Sequence, residues 1–504
     1  MSLLTELQSF FWMANYKDAA PTAPRAERVY GCQPKTSLDL PALAASHYAR
    51  FGFDVRLEIM KTLRPLTIAI AGLCVGGFNS VLFAADQVKT VESPPLSAAN
   101  SYYVGNRAPL TPSPFIKLPI GSITPRGWVR HMLELERDGM TGRLKEVSQW
   151  LDFEKSSWAD KEGRGKYGWE EMPYWLKGYG DLGYVLKDGA IIAEAKKWIE
   201  ATMASQREDG WFGPRESLTS LKGKPDLWPH MVMLNILQSY YEFTGDKHTL
   251  DVIVRYLKWQ NTLPASAFGE GYWPKVRAGD NIETALWAYN RTGDPWMLDL
   301  AKKIHEGMAR WDEDIINWHN VNLAQGFRAG TVAWMVTKDP KHLASAERNY
   351  TKLMDMYGQF AGGGFVGDEN CRQGIIDPRG GIETCGIVEF MHSYEMLLKI
   401  TGNPIWADRC EDVAFNSLPA ALLPDFTGLR YLTAPNLILS EKDQPTRQTE
   451  YDKNQTSSSN DDVPFSDSRH LCQMSPSAPP GPHTSCGPGV RIQYGTQSGS
   501  SSQS

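Results

Sequence analysis

Between Ile123 and Leu439 the apolar positions recur with the period of a helix. Ile387, Phe390, Met391, Tyr394, Leu397 and Leu398 fall at i, i+3, i+4, i+7, i+10 and i+11, one unbroken stripe that predicts a helix. Met233, Leu234, Leu237, Tyr240 and Tyr241 repeat the pattern, with Asp226 as an upstream cap. Leu323, Phe327, Gly330 and Trp334 make a narrower stripe. Five segments share one punctuation: Leu186-Lys-Asp188, Thr244-Gly-Asp246, Thr292-Gly-Asp294, Thr337-Lys-Asp339 and Thr401-Gly-Asn403. Each reads as a helix stop, a turn and the cap of the next helix. The caps at 188, 246, 294, 339 and 403 lie 58, 48, 45 and 64 residues apart, room for two helices and a loop each. Such irregular pairs predict an all-α fold, a closed (α/α) toroid in preference to a strict solenoid. No run of alternating strands interrupts the region.

The two ends read differently. Residues 60–86, MKTLRPLTIAIAGLCVGGFNSVLFAAD, place Lys61 and Arg64 before an apolar run and small residues at Ala84 and Ala85. That is the layout of a secretory signal peptide, with an apolar core too short to span a bilayer. Leu73 stands before Cys74 where a lipoprotein site requires a small residue. The expectation is therefore signal peptide at 60–85, a secreted or periplasmic product without stable membrane insertion, and residues 1–59 as a doubtful upstream extension. Residues 86–439 form the expected barrel domain. From 440 to 504 the chain is polar and of low complexity (TSSSNDD, SPSAPPGPH, GTQSGSSSQS), with too few apolar residues for a core.

Composition agrees with a large core and narrows the partners. Of 504 residues 42% are apolar, and 52 Lys and Arg against 58 Asp and Glu leave a net charge of −6, which gives no footprint for nucleic acid. All 17 Trp lie between Trp12 and Trp406. Several sit in loops rich in Gly and acid: YGWEEMPYW (167–175), QREDGWFGP (206–214), GEGYWP (269–274) and WDEDIINWHN (311–320). Aromatic faces beside carboxylates suit sugars, although any single Trp is more commonly a packing residue. Loops at one rim of a toroid are where binding groups collect.

Two motifs carry less than they suggest. Gly163-Arg-Gly165-Lys-Tyr-Gly168 fits a dinucleotide fingerprint but follows no strand. Glu389-Phe-Met-His392 is a single Glu-x-x-His where a di-iron site needs two, and reads as a solvated helix face. The cysteines are more informative. Beyond the signal segment stand Cys371, Cys385, Cys410, Cys472 and Cys486, an odd number for an exported chain. Cys385 lies in Gly381-Ile-Glu383-Thr-Cys385 at a helix start, where carboxylate and thiol together suit a borderline ion such as zinc. A buried structural thiol is the plainer alternative.

The segments WHNVNLAQGFR (318–328), GGGFVGDEN (362–370) and DPRGGIETCGIVEFMHSYEMLLKITGNPIWADRCEDVAFNSLPAAL (377–422) resemble glycoside hydrolase family 127, the β-L-arabinofuranosidase-like family. The resemblance spans roughly Ile116 to Ile438. It implies an (α/α)6-barrel catalytic domain acting on oligo- or polysaccharide, by a retaining mechanism with a zinc-bound cysteine thiolate as nucleophile. Carried over, Glu383 and Cys385 are zinc ligands and Glu369 is the general acid/base. His319, Asn322, Gln325 and His230 contact the sugar.

The resemblance also implies an adjacent Cys-Cys pair, within Arg-Cys-Cys-Gln-His-Asn, about eighty residues after the Glu-Thr-Cys motif. Here the nearest segment is Ser468-Arg-His-Leu-Cys472-Gln-Met474, so Cys472 aligns with the last zinc ligand and Leu471 takes the nucleophile's place. Such a chain is expected to turn over little. Two readings stay open: a reading-frame change near 440–465 in a normal hydrolase gene, or a relative that binds carbohydrate on the same barrel without cutting it.

Overall fold

The computed structural model describes residues 103–358, 360–371, 381–430 and 432–433, with a strand pair Leu439–Ser440 and Ile492–Gln493. All of these belong to one compact unit; a second, residues 20–90, lies outside the described residues. The signal segment at 60–85 and Cys472 and Cys486 fall outside them too.

Twelve helices carry the fold: α1 (Gly127–Asp138), α2 (Glu171–Leu186), α3 (Gly189–Ala204), α4 (Trp228–Thr244), α5 (Lys247–Asn261), α6 (Gly279–Thr292), α7 (Trp296–Gly307), α8 (Asn320–Gly326), α9 (Ala329–Thr337), α10 (Pro340–Tyr357), α11 (Thr384–Thr401) and α12 (Ile405–Asp412). Consecutive helices pack as hairpins, α2 on α3, α4 on α5, α6 on α7, α9 on α10 and α11 on α12. The inner members touch in turn, α1 to α2, α4, α6, α9 and α11. The ring closes where Trp128 of α1 meets Phe415 edge-on at 4.8 Å and the Met140 N–H donates to Phe426 O at 2.8 Å. The result is an (α/α)6 barrel.

Burial separates the two layers. Outer α5 buries one stripe, Thr249, Val252, Ile253, Tyr256, Leu257 and Gln260, at the spacing of a single helix face. Inner α11 buries every residue except Lys399 and Thr401. This corrects the solvated reading of Glu389 and His392, which are 3% and 7% exposed and face the barrel interior. Both side chains there have company: Arg328 Nη1 lies 3.7 Å from Glu389, and Glu283 lies 3.9 Å from His392, whose imidazole is held neutral by burial. Polar residues on an inner helix need not be wet when six helices surround a polar axis.

The repeated punctuation forms as expected except at Asp294, which gives α7 no side-chain cap and accepts from Met297 N only through its backbone carbonyl. Lys187, Gly245, Gly293, Lys338 and Gly402 all take the left-handed conformation that stops a helix. Asp188, Asp246 and Asp339 then accept N–H donors from the next helix, and Asn403 accepts from Ile405 N at 3.1 Å. The Leu323–Trp334 stripe differs: it is broken at Phe327 and Arg328 into α8 and α9. Among the described residues, no helix is long and apolar enough to cross a membrane.

Candidate active site

A small sheet the sequence does not announce brings the chemistry together. His319 bridges Asn370, with Asn320 N donating to Glu369 O at 2.6 Å and Cys371 N to Trp318 O at 2.8 Å. On the other side Glu383 N donates to Gly367 O at 3.1 Å, and strand β1 (Ile382–Glu383) pairs antiparallel with β2 (Leu432–Thr433). Four segments of two to five residues thus form one ladder at the mouth of the barrel, where α8 and α11 begin. The helix start at α11 lies tight against it. A Cβ on Gly386 would overlap Asn320 Oδ1, while Asn320 Nδ2 donates to Gly367 O at 2.9 Å.

The ladder puts His319, Glu369 and Glu383 side by side, their ligand atoms all within 4.8 Å of one another. His319 Nε2 lies 2.9 Å from Glu369 Oε2. Glu369 holds a backbone φ of +135°, which a side-chain-bearing residue rarely adopts and which the ladder on both sides enforces. Glu383 is 1% exposed and immediately precedes α11, and Cys385 is buried in its first turn. Burial, then the Glu383 and Glu369 carboxylates, push the Cys385 thiol well up, with Arg277 opposing them weakly. No disulfide joins Cys371, Cys385 or Cys410.

Arg277, which the sequence pattern does not single out, completes the cluster. Its guanidinium lies over Trp228 at 4.2 Å and over Trp273 at 4.6 Å, and Trp273 meets His319 edge-on at 5.3 Å. Nε donates to Asn322 Oδ1 at 2.8 Å and Nη1 to the Tyr174 hydroxyl at 3.3 Å. Burial pushes the Tyr174 phenol well up, so it stays neutral. The signal for this group was the rim loop GEGYWP, which ends at Trp273 and Pro274. Of the other rim tryptophans, Trp175, Trp211 and Trp311 are core residues.

The remaining expected site residues stand further back. Asn322 is fully buried and holds Arg277. Gln325 is 3% exposed and donates through Nε2 to Asp280 Oδ2 at 2.6 Å. The structure does not bring His230 to the cluster. Its ring is stacked on Tyr256 at 5.1 Å and enclosed by Trp158, Trp211 and Phe212, with Nε2 at 2.7 Å from Phe212 O. A fully buried imidazole in an aromatic box is a packing residue. Glu170 accepts from the Trp228 indole.

Burial pushes the His230 imidazole down to about 4. The unfolded chain, with its histidine near 6.5, therefore takes up the proton first, and native stability falls as pH drops from about 6.5 to about 4. The expected loss from this residue is up to about 3 kcal/mol. Urea unfolding of the wild-type chain and of His230→Phe across that range measures it. Parallel pH dependences in the two chains would contradict the assignment.

Among curated proteins, none matches the sequence. Solved structures do. A GH127 β-L-arabinofuranosidase from Geobacillus stearothermophilus T6 is similar at 14% identity with a TM-score of 0.50, over 62% of this chain and 58% of its own. A second GH127 β-arabinofuranosidase gives 14% identity and a TM-score of 0.49, over 65% of this chain and 58% of its own. The chain therefore spans less than two thirds of the length of either. At such identity the first likeness concerns the barrel fold. Residues 119–462, more than half of the sequence, match the family described as β-L-arabinofuranosidase, GH127 catalytic domain. By that match the chain belongs to the GH127 β-L-arabinofuranosidase catalytic-domain family of glycoside hydrolases.

Proposed function

We propose that this barrel binds and cleaves β-L-arabinofuranosyl units on oligo- or polysaccharides, with Glu369 as general acid/base. The observation that carries the reading is the His319–Glu369–Glu383 cluster, with His319 and Glu383 buried and Glu369 partly open, walled by Trp273 and Arg277, in a chain of this family. In this reading Glu369 protonates the leaving oxygen, and His319 at 2.9 Å holds that carboxyl in orientation. The Trp273 face and the Arg277 guanidinium offer an apolar wall and donors to a furanose ring and its hydroxyls. Asn322 and Tyr174 fix Arg277, and Gln325 supports α8 through Asp280.

The donor set fits zinc. Two carboxylates, an imidazole and a buried thiol, with Glu369 half-buried, form a borderline-to-soft donor set. Glu383 and Cys385 would hold the ion, with Cys472 as the family-type third ligand and the cluster's His319 and Glu369 within reach of the same space. Zinc, when bound, supplies the charge that keeps a coordinating thiol ionised. Leu471 in the nucleophile's position is the reason to expect slow turnover from the chain as it stands. Export to the periplasm or medium, supported by the layout at 60–85, places such an enzyme with its polymeric substrate.

The test is an assay of the chain and of its H470R/L471C/M474H variant on 4-nitrophenyl β-L-arabinofuranoside. The expected result is little turnover from the first and, from the second, hydrolysis with retention that iodoacetamide and a chelator both abolish. Tight binding of arabino-oligosaccharide by both chains, with no cleavage by either, would instead establish the non-catalytic carbohydrate-binding reading that Leu471 favours.

A further inference from the structure

A second group of ligand-type side chains lies outside the cluster described above. His305 sits in the last turn of α7, Asp312 in the loop that follows, and His342 in the first turn of α10. One ligand atom from each comes within 4.8 Å of the other two. His342 Nε2 is 2.9 Å from Asp312 Oδ2, and His305 Nε2 is 3.4 Å from the same oxygen. The two imidazole rings are 4.7 Å apart, centre to centre.

Two features point to a ligand beyond mutual packing. His305 and Asp312 are 7% and 4% exposed, yet Asp312 Oδ1 makes no hydrogen bond and His305 Nε2 has only its long, poorly aligned 3.4 Å contact to Asp312 Oδ2. Buried polar atoms in that state are costly unless something occupies the space they face. Further, His342 Nδ1 is 2.7 Å from the Thr337 hydroxyl, an outer contact that fixes the ring. When Nδ1–H donates to that hydroxyl, Nε2 turns its lone pair beside a carboxylate oxygen, an arrangement that a shared cation stabilises.

The geometry points to a divalent transition-metal site formed by His305, Asp312 and His342, with zinc as the ion its ligands suit. Two imidazoles and one carboxylate are a three-ligand zinc set whose fourth position takes water. Separations of about 3.4 Å between donors are those of a tetrahedral ion with bonds near 2.1 Å. The scaffold is already rigid: Arg348 Nη2 donates to Asp312 O at 2.9 Å and Asn349 Nδ2 to Trp311 O at 2.8 Å. One competitor is present, since Arg310 Nη2 donates to Asp312 Oδ2 at 2.6 Å. That side chain is 39% exposed and its Nε is 3.3 Å from Glu313, an alternative partner it can turn to. The ion would brace the segment running from α7 through Asp312 to His319, tying the outer layer to the loop that delivers a catalytic-cluster residue.

The experiment uses the full chain carrying Cys385→Ser, so that loss of metal from the sugar-cutting cluster does not enter the comparison. Protein loaded with zinc sulfate and dialysed is analysed for metal and for Tm, with and without His342→Gln. The expected result is close to one zinc per chain less in the His342→Gln protein, and loss of the rise in Tm that zinc gives its parent. Equal zinc content and an equal rise in both would overturn the site. Arg310→Met guards against a His342 variant that fails to fold. It removes the competing guanidinium and is expected to tighten zinc binding at least tenfold, and unchanged affinity would overturn the site as well. A purely structural His–Asp–His contact predicts the same zinc content and the same zinc response in all of these chains. None of these outcomes bears on arabinoside cleavage, so this inference and the proposed activity fail separately.

Discussion

Glu369→Gln, placed in the H470R/L471C/M474H background, is expected to lower kcat/KM, which reports the first chemical step, on alkyl β-L-arabinofuranosides by about 10²–10⁴-fold. The amide keeps the shape of the carboxyl but has no proton to give the departing oxygen. Its backbone need not move, because the Asn320 N–H to Glu369 O bond and the ladder to Asn370 do not involve the side chain. On a 4-nitrophenyl arabinoside the first chemical step needs little protonation, so the loss there is expected to be far smaller. A general acid predicts this dependence on leaving group, and a residue that merely shapes the pocket does not. Oligosaccharide affinity, measured by calorimetry, is expected to change only a few-fold. Equal losses on alkyl and aryl substrates would remove Glu369 from the role.

The second large effect concerns stability. Arg328 is 1% exposed in the barrel interior, with Nη2 on Asp280 at 2.7 Å, Nε on Glu283 at 2.9 Å and Nη1 on Ser393 at 2.8 Å. Burial alone would push its guanidinium down, but Asp280, Glu283 and Glu389 outweigh that and push it up. Arg328→Met keeps the length and apolar stem while leaving three buried carboxylates without their common cation. Breaking a buried ion pair from one side costs about 3–5 kcal/mol, and here one removal breaks several. The expected outcome is a barrel that unfolds at markedly lower urea concentration, or fails to accumulate at all. A loss below about 1 kcal/mol would mean that water reaches the network and screens it.

The helical architecture was legible because capping and punctuation are local. Asp188, Asp246 and Asp339 cap helices whichever way those helices later pack, and the five left-handed stops need only their own backbone. The Glu383-Thr-Cys385 start of α11 was legible in the same way. What escaped depends on distant partners. The ladder at the site uses segments too short and too rich in Gly for any alternating pattern, and it forms because residues 318, 367 and 382 meet. Arg277 carries no motif, and it became a site residue by lying between Trp228 and Trp273. His230 looks the same on paper as His319. Only the rings around it separate a packing histidine from one facing a carboxylate. Glu389 and His392 were misread for a related reason, since an amphipathic pattern assumes one wet face and an inner barrel helix has none.

The ladder at the barrel mouth also governs the order of events when the chain folds. Each helix hairpin closes a short stretch of sequence, so the hairpins of the wall can form from near-neighbour contacts before Trp128 and Phe415 close the ring. The Trp318–Cys371 hydrogen bond closes a loop of more than fifty residues and the β1–β2 pair another of nearly fifty. Loop-closure entropy makes such pairings late and rate-limiting relative to the hairpins. A chain can therefore acquire its full helical content while His319, Glu369 and Glu383 are still apart. Helicity regained on refolding is then a measure of the wall alone, and the competence of the site follows its own, slower clock.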